Sequence, residues 1–475
     1  MCRVFGKTYE GKEENPIGKG RLALSLYHLL RERESREKPV RIGVIGAGTF
    51  SSAFLNQVRR IPGMKVVSVA DLDAEKAKRA CVAAGWPEEA VRVVHSEASI
   101  NEGAARGKVM VTDNADSLIK ADLEVIVEAT GATEAGTYHA WNALEAGKHV
   151  VMANVETDVL LGPILKKKAD EKGLVYSMAY GDQPGIISEM VDWARTIGLE
   201  VVCAGKGTRY QPEYCYSTPD TVWEYFGFTE EQVSTGHYNA QMYNSFLDTT
   251  KSAIEMCAVS NATGLVPQKC GLRFPPVGPE GLPNVLKPET DGGILEHSGT
   301  VEIVASENRD GTPVKDHLRW GVYIVFKAGS DLVRRFLAMH DFLRDESGEY
   351  GAVYRPFHLI GLELGVSVAS AVLRGEATGS ASVFAADVAS AAKRDLKPGD
   401  VLDGEGGYTV FGRLVRADES LANKYLPMGL SHGAKMVRPV AKDSLVTYRD
   451  VEMKENTLAF WVRRTLEEES GKLSP

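Results

Sequence analysis

The feature that most constrains the fold is a glycine-rich turn that begins at Gly46. A β-branched run enters Gly46-x-Gly48-x-x-Ser51, a helical pattern follows, and a second apolar run ends at Asp71. Strand, glycine turn, helix, strand and acid in this order form the fingerprint of a dinucleotide-binding site. An ordinary strand-to-helix turn is the alternative interpretation. We predict a nicotinamide dinucleotide site here.

Each residue of the fingerprint has a physical task in such a site. Gly46 permits the tight turn, and Gly48 lets backbone N–H groups approach a pyrophosphate at the positive end of the helix. Ser51 stands where a third glycine is usual, and its small side chain still allows helix and strand to pack closely. Asp71 follows Gly46 by 25 residues, where a carboxylate can accept hydrogen bonds from the adenosine ribose.

Size and charge narrow the classes of function. The chain has 475 residues, enough for two or three domains, and its 44% hydrophobic and 25% charged residues are ordinary for a soluble globular protein. The net charge of −9 argues against nucleic acid or an anionic membrane as the main partner. Six cysteines without a Cys-x-x-Cys pair predict reduced thiols in a cytoplasmic protein and no structural zinc.

The order of patterns along the chain predicts five segments. They are an N-terminal helical extension (1–38), a Rossmann-type doubly wound parallel sheet (39–182), an α+β substrate domain (183–376), a small β-rich domain (377–452) and a C-terminal helix (453–475). The extension is expected to dock an amphipathic helix on the body, and an arm that crosses to a second subunit is the alternative. We expect a homo-oligomer that binds a small-molecule substrate.

Five stretches of the substrate domain and its boundary carry specific predictions. Residues 301–306, 320–328 and 332–340 are predicted as strands. The apolar run 359–373 is too short to span a bilayer and is predicted as a buried helix. The Ala-rich run 383–392 is either helical or extended.

Polar residues follow three further predicted strands of the parallel sheet, at 123–129, 149–154 and 174–180. Ligands of open α/β sheets bind at the carboxyl ends of the strands. The residues placed there are Thr130, Gly131, Asn154, Glu156, Asp158 and Asp182, and for each acid a surface or capping role is the alternative. The predicted cofactor-binding residues are Gly46, Gly48, Thr49, Phe50, Asp71, Thr130, Gly131 and Asn154.

A predicted helix over residues 244–262 carries Asn244, Asp248, Lys251 and Glu255 at steps of four, three and four, so they share one face. The remaining faces are apolar, which indicates a buried helix whose charged stripe lines a cavity. A solvated face with ion pairs is the alternative. We predict that Lys251, held by Asp248, protonates or polarises a substrate oxygen.

Other charged residues are predicted to assist. Lys206 follows a predicted strand and is a second cation for an oxyanion or a phosphate. Arg355 and His358 precede the apolar run 359–373 and are predicted, with Glu255 and Asp182, to contact the substrate. A lone histidine before a helix is also often structural.

Four segments occur together in this chain. They are the glycine fingerprint, His149-Val150-Val151-Met152-Ala153-Asn154, Asp248-Thr249-Thr250-Lys251-Ser252-Ala253-Ile254-Glu255-Met256 and Leu396-Lys397-Pro398-Gly399. With them the chain resembles, over about residues 31–453, an NAD(P)-dependent oxidoreductase with a homoserine-dehydrogenase-like body and a C-terminal SAF (β-clip) domain. It is most similar to the 1-deoxy-D-xylulose 5-phosphate reductoisomerase-like (DRL) group.

The resemblance implies an enzyme that transfers hydride between NAD(P) and a small sugar phosphate or polyol-derived substrate, with a rearrangement of the carbon skeleton before reduction if the activity extends that far. Two departures from the homoserine dehydrogenase pattern argue against a reaction of the aspartate pathway. Val155 follows Asn154 where homoserine dehydrogenases carry a lysine, and Asp248 and Lys251 lie three residues apart rather than four. Reductoisomerases hold a divalent metal through clustered acids, for which Glu156 and Asp158 are the candidates, with Asp182 and Glu255.

Two alternatives stay open. One is a homoserine-dehydrogenase-like or other small hydroxy-acid or polyol phosphate dehydrogenase, and the other is a non-enzymatic assembly or binding protein that uses its SAF domain. The cofactor is also open, because the Asp71 carboxylate repels the 2′-phosphate of NADP and favours NAD. Lys76 and Arg79 lie just beyond it, and the resemblance implies NADPH, so we favour NADP(H) slightly over NAD(H).

Overall fold

The N-terminal half of the chain is built on a seven-stranded parallel sheet. The computed structural model describes residues 25–235 and 238–471. The strands are β1 (Val40–Ile45), β2 (Met64–Ala70), β3 (Val91–Val93), β4 (Val109–Thr112), β5 (Val125–Glu128), β6 (His149–Met152) and β7 (Tyr176–Met178). They lie in the order β3-β4-β2-β1-β5-β6-β7, and every adjacent pair is parallel. The predicted doubly wound α/β class is confirmed, and β3 is a strand that the sequence patterns did not predict.

Helices alternate with these strands and place a crevice at the carboxyl end of β1. They are α1 (Leu26–Ser35), α2 (Thr49–Val58), α3 (Ala74–Ala83), α4 (Glu97–Ala105), α5 (Ala115–Lys120), α6 (Thr133–Glu145) and α7 (Val155–Glu171). The chain leaves β1 toward β2 on one side and returns to β5 on the other, which is the switch point where ligands bind such sheets. Leu30 of α1 is buried against this unit, so the described part of the predicted N-terminal helix docks on the body, whereas Leu22 lies outside the described residues.

A second, four-stranded sheet follows. Its strands are β8 (Glu200–Thr208), β9 (Thr300–Ala305), β10 (Val322–Lys327) and β11 (Tyr350–Arg355), in the order β11-β10-β8-β9 with only β8 and β9 parallel. The accompanying helices are α8 (Gln183–Thr196), α9 (Val222–Phe226), α10 (Glu230–Thr235), α11 (Ala240–Leu247), α12 (Thr250–Thr263), α13 (Leu282–Val285), α14 (Asp331–Met339) and α15 (Gly365–Ala369). Helices α8 and α12 pack on this sheet and on each other.

One sequence prediction in this half is wrong, and another holds only for part of its segment. Residues 332–340 are not a strand but α14, whose N-terminus is capped by Ser330 and whose Leu332, Phe336 and Met339 are exposed at helical spacing. The run 359–373 becomes helical only at Gly365 and ends as a π-helix (Ser370–Arg374), while its first residues are exposed. Among the described residues, no helix is long and apolar enough to cross a membrane.

The C-terminal region, defined here as residues 386–471, packs against α7 and α12. It contains β12 (Ala386–Ala392), β13 (Val410–Arg416), α16 (Ala417–Asn423), α17 (Met428–Ser431), β14 (Lys435–Met436), β15 (Val451–Glu452) and α18 (Leu458–Gly471). The run at 383–392 is therefore extended, and the predicted closing helix is present. Arg463 of α18 forms a buried ion pair with Asp387 of β12 and donates to the carbonyl of Leu160 in α7 at 3.3 Å. One continuous hydrophobic core thus joins this region to the first sheet.

Candidate active site

The glycine turn leaves an open cradle at the end of β1. Gly46 has φ +98°, and a Cβ there would lie 2.6 Å from the carbonyl oxygen of Ala129, so only glycine fits. A Cβ on Gly48 would meet no atom within 4 Å. No described side chain caps the N-terminus of α2, which starts at Thr49. Free backbone N–H groups therefore face open space, as a bound pyrophosphate requires.

Asp71 lies beside the turn and already has three partners, one of which is the N–H of Asp73, which donates to its Oδ1 at 3.2 Å. Its Oδ2 accepts a hydrogen bond from the N–H of Ala47 at 2.8 Å and lies 3.1 Å from the Nζ of Lys76. Arg79 forms an ion pair with Asp73 at 3.2 Å. The cation beside Asp71 at this edge of the crevice is Lys76. The ribose-binding role of Asp71 stays a prediction.

Thr130, Gly131 and Asn154 come together at the ends of β5 and β6. The Oδ1 of buried Asn154 caps α7, and its Nδ2 donates to the carbonyl of Ala132 at 3.1 Å. Gly131 has a positive φ of 70°. Their role in holding the nicotinamide end of a cofactor stays a prediction.

Two residues that the sequence interpretation missed support this edge. Glu128, the last residue of β5, is completely buried, and its Oε1 accepts from the Thr130 hydroxyl at 2.6 Å. The Nδ1 of His139 lies 3.2 Å from the same oxygen. The sequence signal that could have identified Glu128 is its position as a carboxylate at the carboxyl end of a predicted central strand.

The predicted helix at 244–262 is interrupted, which corrects the prediction of one charged face. α11 ends at Leu247, Thr249 has φ 73°, and α12 starts at Thr250. The side chain of Asp248 accepts from the N–H of Thr250 at 2.9 Å, a local bond that competes with helical hydrogen bonds. Asn244 and Asp248 therefore do not continue the face that carries Lys251.

The predicted ion pair between Asp248 and Lys251 is also wrong. Asp248 pairs with Lys393, which directly follows β12, at 2.7 Å, and both side chains are buried. Lys393 donates further bonds to the carbonyls of Ser217 and Gly407, at 2.7 and 2.6 Å. Burial raises the pKa of Asp248, and Lys393 opposes that shift. The pair fastens the C-terminal region to the start of α12.

Lys251 and Lys206 each pair with a different carboxylate. Lys251 of α12 forms an ion pair with Glu156 in the first turn of α7. Lys206 of β8 pairs with Glu255 of α12 and donates to the Oε1 of Gln183 at 3.0 Å. Because Glu156 follows Asn154 by two residues, the Lys251 ammonium lies near the carboxyl end of β6, and Glu255 of the same helix holds Lys206.

Two more carboxyl groups complete what we call the polar cluster, which consists of Lys206, Lys251, Glu156, Asp182, Glu255 and Glu405. Burial and the charge of Glu255 raise the pKa of Asp182, whereas Lys251 and His358 lower it. Burial disfavours the charged form of Lys251, but the surrounding carboxylates outweigh burial and raise its pKa. Lys251 is therefore an ammonium that can hold a negative oxygen or give it a proton.

The two residues predicted as metal ligands, Glu156 and Asp158, have different partners. Glu156 pairs with Lys251, while Asp158 is fully buried and accepts from the hydroxyl of Tyr176 at 2.9 Å. Within residues 25–235 and 238–471, no group of three or more His, Cys, Asp or Glu side chains is arranged to hold a metal ion.

The predicted substrate contacts at the end of β11 are already engaged. Arg355 forms an ion pair with Glu363. The Nδ1 of His358 lies 2.8 Å from the carbonyl oxygen of Trp320, and the charge of His358 acts on Asp182. His358 thus lies at the border of the polar cluster, whereas the guanidinium of Arg355 is paired with Glu363.

A doubly wound parallel sheet with a glycine turn at the end of its first central strand is typical of a dinucleotide-binding fold. Residues 43–175 match the family model of the homoserine dehydrogenase NAD-binding domain. Residues 181–364 match the model of the catalytic domain of the oxidoreductase DRL. The two matches support an oxidoreductase enzyme with an NAD(P)-binding domain. Both matches end before Lys393 and Glu405.

Several solved structures are similar to parts of this chain. One is 1-deoxy-D-xylulose 5-phosphate reductoisomerase from Zymomonas mobilis with NADPH, 17% identical over 47% of this chain and 57% of that chain, with a TM-score of 0.33. Another is KijD10, a 3-ketoreductase from Actinomadura kijaniata with NADP, 18% identical over 37% and 49%, TM-score 0.25. A third is a putative oxidoreductase from Klebsiella pneumoniae, 20% identical over 40% and 47%, TM-score 0.23. The chain spans about half the length of these proteins. No curated protein matches it.

Proposed function

We propose that the protein uses NADPH to reduce a carbonyl carbon of a small sugar phosphate, in a reaction like that of 1-deoxy-D-xylulose 5-phosphate reductoisomerase. The observation that carries the proposal is that α12 and β8 bring Lys251 and Lys206 together in the polar cluster, where Lys251 pairs with Glu156 in the first turn of α7. The match to the DRL catalytic domain, which contains both lysines, supports it.

The cradle at Gly48 fits a dinucleotide, because the space in front of it is open and the first N–H groups of α2 lack side-chain caps among the described residues. When bound there, the nicotinamide supplies a hydride to the substrate carbon. Asn154 and Thr130 would position the nicotinamide end, since both lie at the strand ends beside it.

The chain's own residues handle the substrate oxygen. Lys251 donates a proton to that oxygen as negative charge develops on it, and Glu156 holds the ammonium in place. Lys206, fixed by Glu255 and Gln183, holds a second substrate oxygen or the phosphate. If the substrate is 1-deoxy-D-xylulose 5-phosphate, the same cations stabilise the oxyanions of the rearrangement that precedes reduction.

The remaining sequence predictions enter this proposal unchanged. The segment 377–452 is a SAF-like domain, the protein is a homo-oligomer, and NADP(H) is preferred over NAD(H). A simple hydroxy-acid or polyol phosphate dehydrogenase is the second candidate, for which the absence of a lysine at Val155 is no obstacle if Lys251 supplies the proton.

Single-turnover reduction of 1-deoxy-D-xylulose 5-phosphate by bound NADPH tests the proposal. Lys251→Met should slow hydride transfer by roughly two to four orders of magnitude, the range for a proton-transfer group, and leave NADPH affinity nearly unchanged. Lys206→Met should mainly raise KM. Lys315→Met, at an 83% exposed lysine, is the matched control and should leave both constants unchanged. A folded Lys251→Met protein with a normal rate would move the proton-donor role to Lys206.

A further inference from the structure

A short apolar segment, residues 357–362, leads from β11 toward α15, and we call it the crevice segment. It reads Phe357-His358-Leu359-Ile360-Gly361-Leu362. Its four large apolar side chains, Phe357, Leu359, Ile360 and Leu362, are each between 40% and 46% exposed. Single exposed apolar residues are common on protein surfaces, but several in one short segment indicate a surface that binds something.

One side of the crevice segment lies on the glycine cradle. A Cβ on Gly361, whose φ is +75°, would lie 2.4 Å from the carbonyl oxygen of Phe50 and 2.8 Å from the Cβ of Ala53. Only glycine lets the segment approach the first turn of α2 this closely. Because Phe50 follows Gly48 by two residues, the exposed apolar side chains are continuous with the predicted dinucleotide site.

The other side of the crevice segment lies on the turn that follows β7. A Cβ on Gly181 would lie 2.9 Å from the carbonyl oxygen of Leu359. The segment therefore bridges the cradle at the end of β1 and the end of β7. In the sheet, β5 and β6 lie between these two strands, and Thr130 and Asn154 follow them. The segment thus flanks the strand ends that are predicted to receive the nicotinamide.

Hydrogen bonds hold the crevice segment in this position. The Nδ1 of His358 donates to the carbonyl of Trp320 at 2.8 Å, and the N–H of Leu359 donates to the Oε2 of Glu363 at 3.2 Å. Glu363 is fixed in turn by its ion pair with Arg355. The segment is ordered before a ligand binds, so binding costs little conformational entropy there.

We propose that the crevice segment is the second wall of the nicotinamide pocket, and that Leu359 and Ile360 pack against the nicotinamide ring of bound NADPH. The proposal deepens the proposed function and rests on it for the position of the dinucleotide. Apolar side chains beside the ring remove its surface from water, as in most ligand pockets. The occupant is the dinucleotide rather than a second copy of the chain, because Gly361 joins the segment directly to the cradle.

Binding titrations with two probes test the proposal and need no substrate. NADPH contains the nicotinamide ring, whereas 2′-phospho-ADP-ribose has the same adenosine and pyrophosphate but lacks that ring. Leu359→Asn and Ile360→Asn should each weaken NADPH binding about five- to tenfold, because about half of an apolar side chain no longer gains burial on binding. The affinity for 2′-phospho-ADP-ribose should stay within about twofold. Leu332→Asn, at a 58% exposed residue of α14, is the matched control and should change neither affinity.

The possible outcomes of these titrations are distinct. NADPH affinities of Leu359→Asn and Ile360→Asn that equal the wild-type value would overturn the proposal. Equal weakening of both probes would also overturn it, because the segment would then support the cradle instead of the ring. An altered oligomeric state in light scattering, with unchanged NADPH affinity, would assign the segment to a second copy of the chain. Tight NADPH binding by a protein that does not reduce 1-deoxy-D-xylulose 5-phosphate would count against the proposed function alone.

Discussion

The cofactor cradle and the polar cluster are built in opposite ways. In the cradle, the hydrogen bond from Ala47 to Asp71 joins residues 24 positions apart, within one strand–helix–strand unit. In the polar cluster, Lys206 and Glu255 lie 49 positions apart and Lys251 and Glu156 lie 95 positions apart. The Asp248–Lys393 pair beside it spans 145 positions. The cradle is a local structure, whereas the charges of the polar cluster meet only when distant parts of the chain pack together.

This difference has a consequence for the C-terminal region. That region contains no catalytic motif of its own, yet it supplies Lys393, which fixes the start of α12, and Glu405, whose charge acts on Lys251. A region can therefore shape an active site without a recognisable motif if it supplies partners for charges that lie elsewhere.

The buried Asp248–Lys393 pair should show the largest effect. Asp248→Asn leaves an uncompensated ammonium in the core, and we expect a loss of about 3–5 kcal/mol in the free energy of unfolding, measured in urea. Lys393→Met should cost a similar amount. The double variant should lose less than the sum of the two single variants, because it buries no lone charge. Additive losses would show that the two side chains do not interact.

Gly46 and Gly48 of the cradle are a matched pair of glycines. We expect substitution of Gly48 to lower dinucleotide affinity and substitution of Gly46 to lower stability. Gly48→Val should keep the free energy of unfolding of the wild type and lower dinucleotide affinity at least about 100-fold, since the added side chain fills the open space in front of the turn. Gly46→Val should destabilise the fold itself, because φ is +98° and Ala129 is in the way. Calorimetric titration with NADPH and urea unfolding check both. Unchanged affinity in Gly48→Val would exclude this cradle as the pyrophosphate site.

Asp158 should make the stability of the first unit depend on pH. Burial raises the pKa of this carboxyl group from 3.8 to about 7, and the hydroxyl of Tyr176 only partly opposes the shift. The folded state holds the proton more tightly than the unfolded chain, so the contribution to stability is complete below pH 3.8 and is lost as the pH rises through about 7. Asp158→Asn retains an acceptor for Tyr176 and removes this dependence.

The measurement is the difference in unfolding free energy between Asp158→Asn and the wild type at pH 5 and pH 8. We expect this difference to shift by about 2–3 kcal/mol in favour of the variant at pH 8. Asp192→Asn, at an exposed residue of α8, is the control and should show no such shift. A difference that is equal at the two pH values would mean that Asp158 titrates normally.

The sequence predicted local structure well and long-range partners poorly. The parallel sheet follows from β-branched runs and a glycine turn that each lie within a few residues, whereas the short strands β3 and β4 were given no range from the sequence. The break before α12 depends on the side chain of Asp248 competing for the backbone, for which the run Asp248-Thr249-Thr250 was a usable signal. The approach of Lys393 and Glu405 to α12 depends on how the C-terminal region packs, and no local pattern contains that information.

The smallest expected effect concerns the ribose edge of the cradle. Lys76 is half-exposed, so solvent and salt screen its charge, and we expect Lys76→Gln to weaken NADPH binding only about tenfold. NADH lacks the 2′-phosphate, and its affinity should not change. Asp71→Ser should move the preference toward NADP if the carboxylate repels the phosphate. Titrations of both dinucleotides at low and high salt measure these changes.

The two variants separate two roles of Asp71. Its Oδ2 already accepts from the N–H of Ala47 and lies beside Lys76, so part of its charge is neutralised before any dinucleotide binds. If Asp71 mainly holds the glycine turn, Asp71→Ser should weaken NADH and NADPH equally. If it faces the ribose, only the ratio of the two affinities should change. Equal weakening of both dinucleotides by Lys76→Gln would show that this lysine serves the turn through Asp71 and that the phosphate is recognised elsewhere.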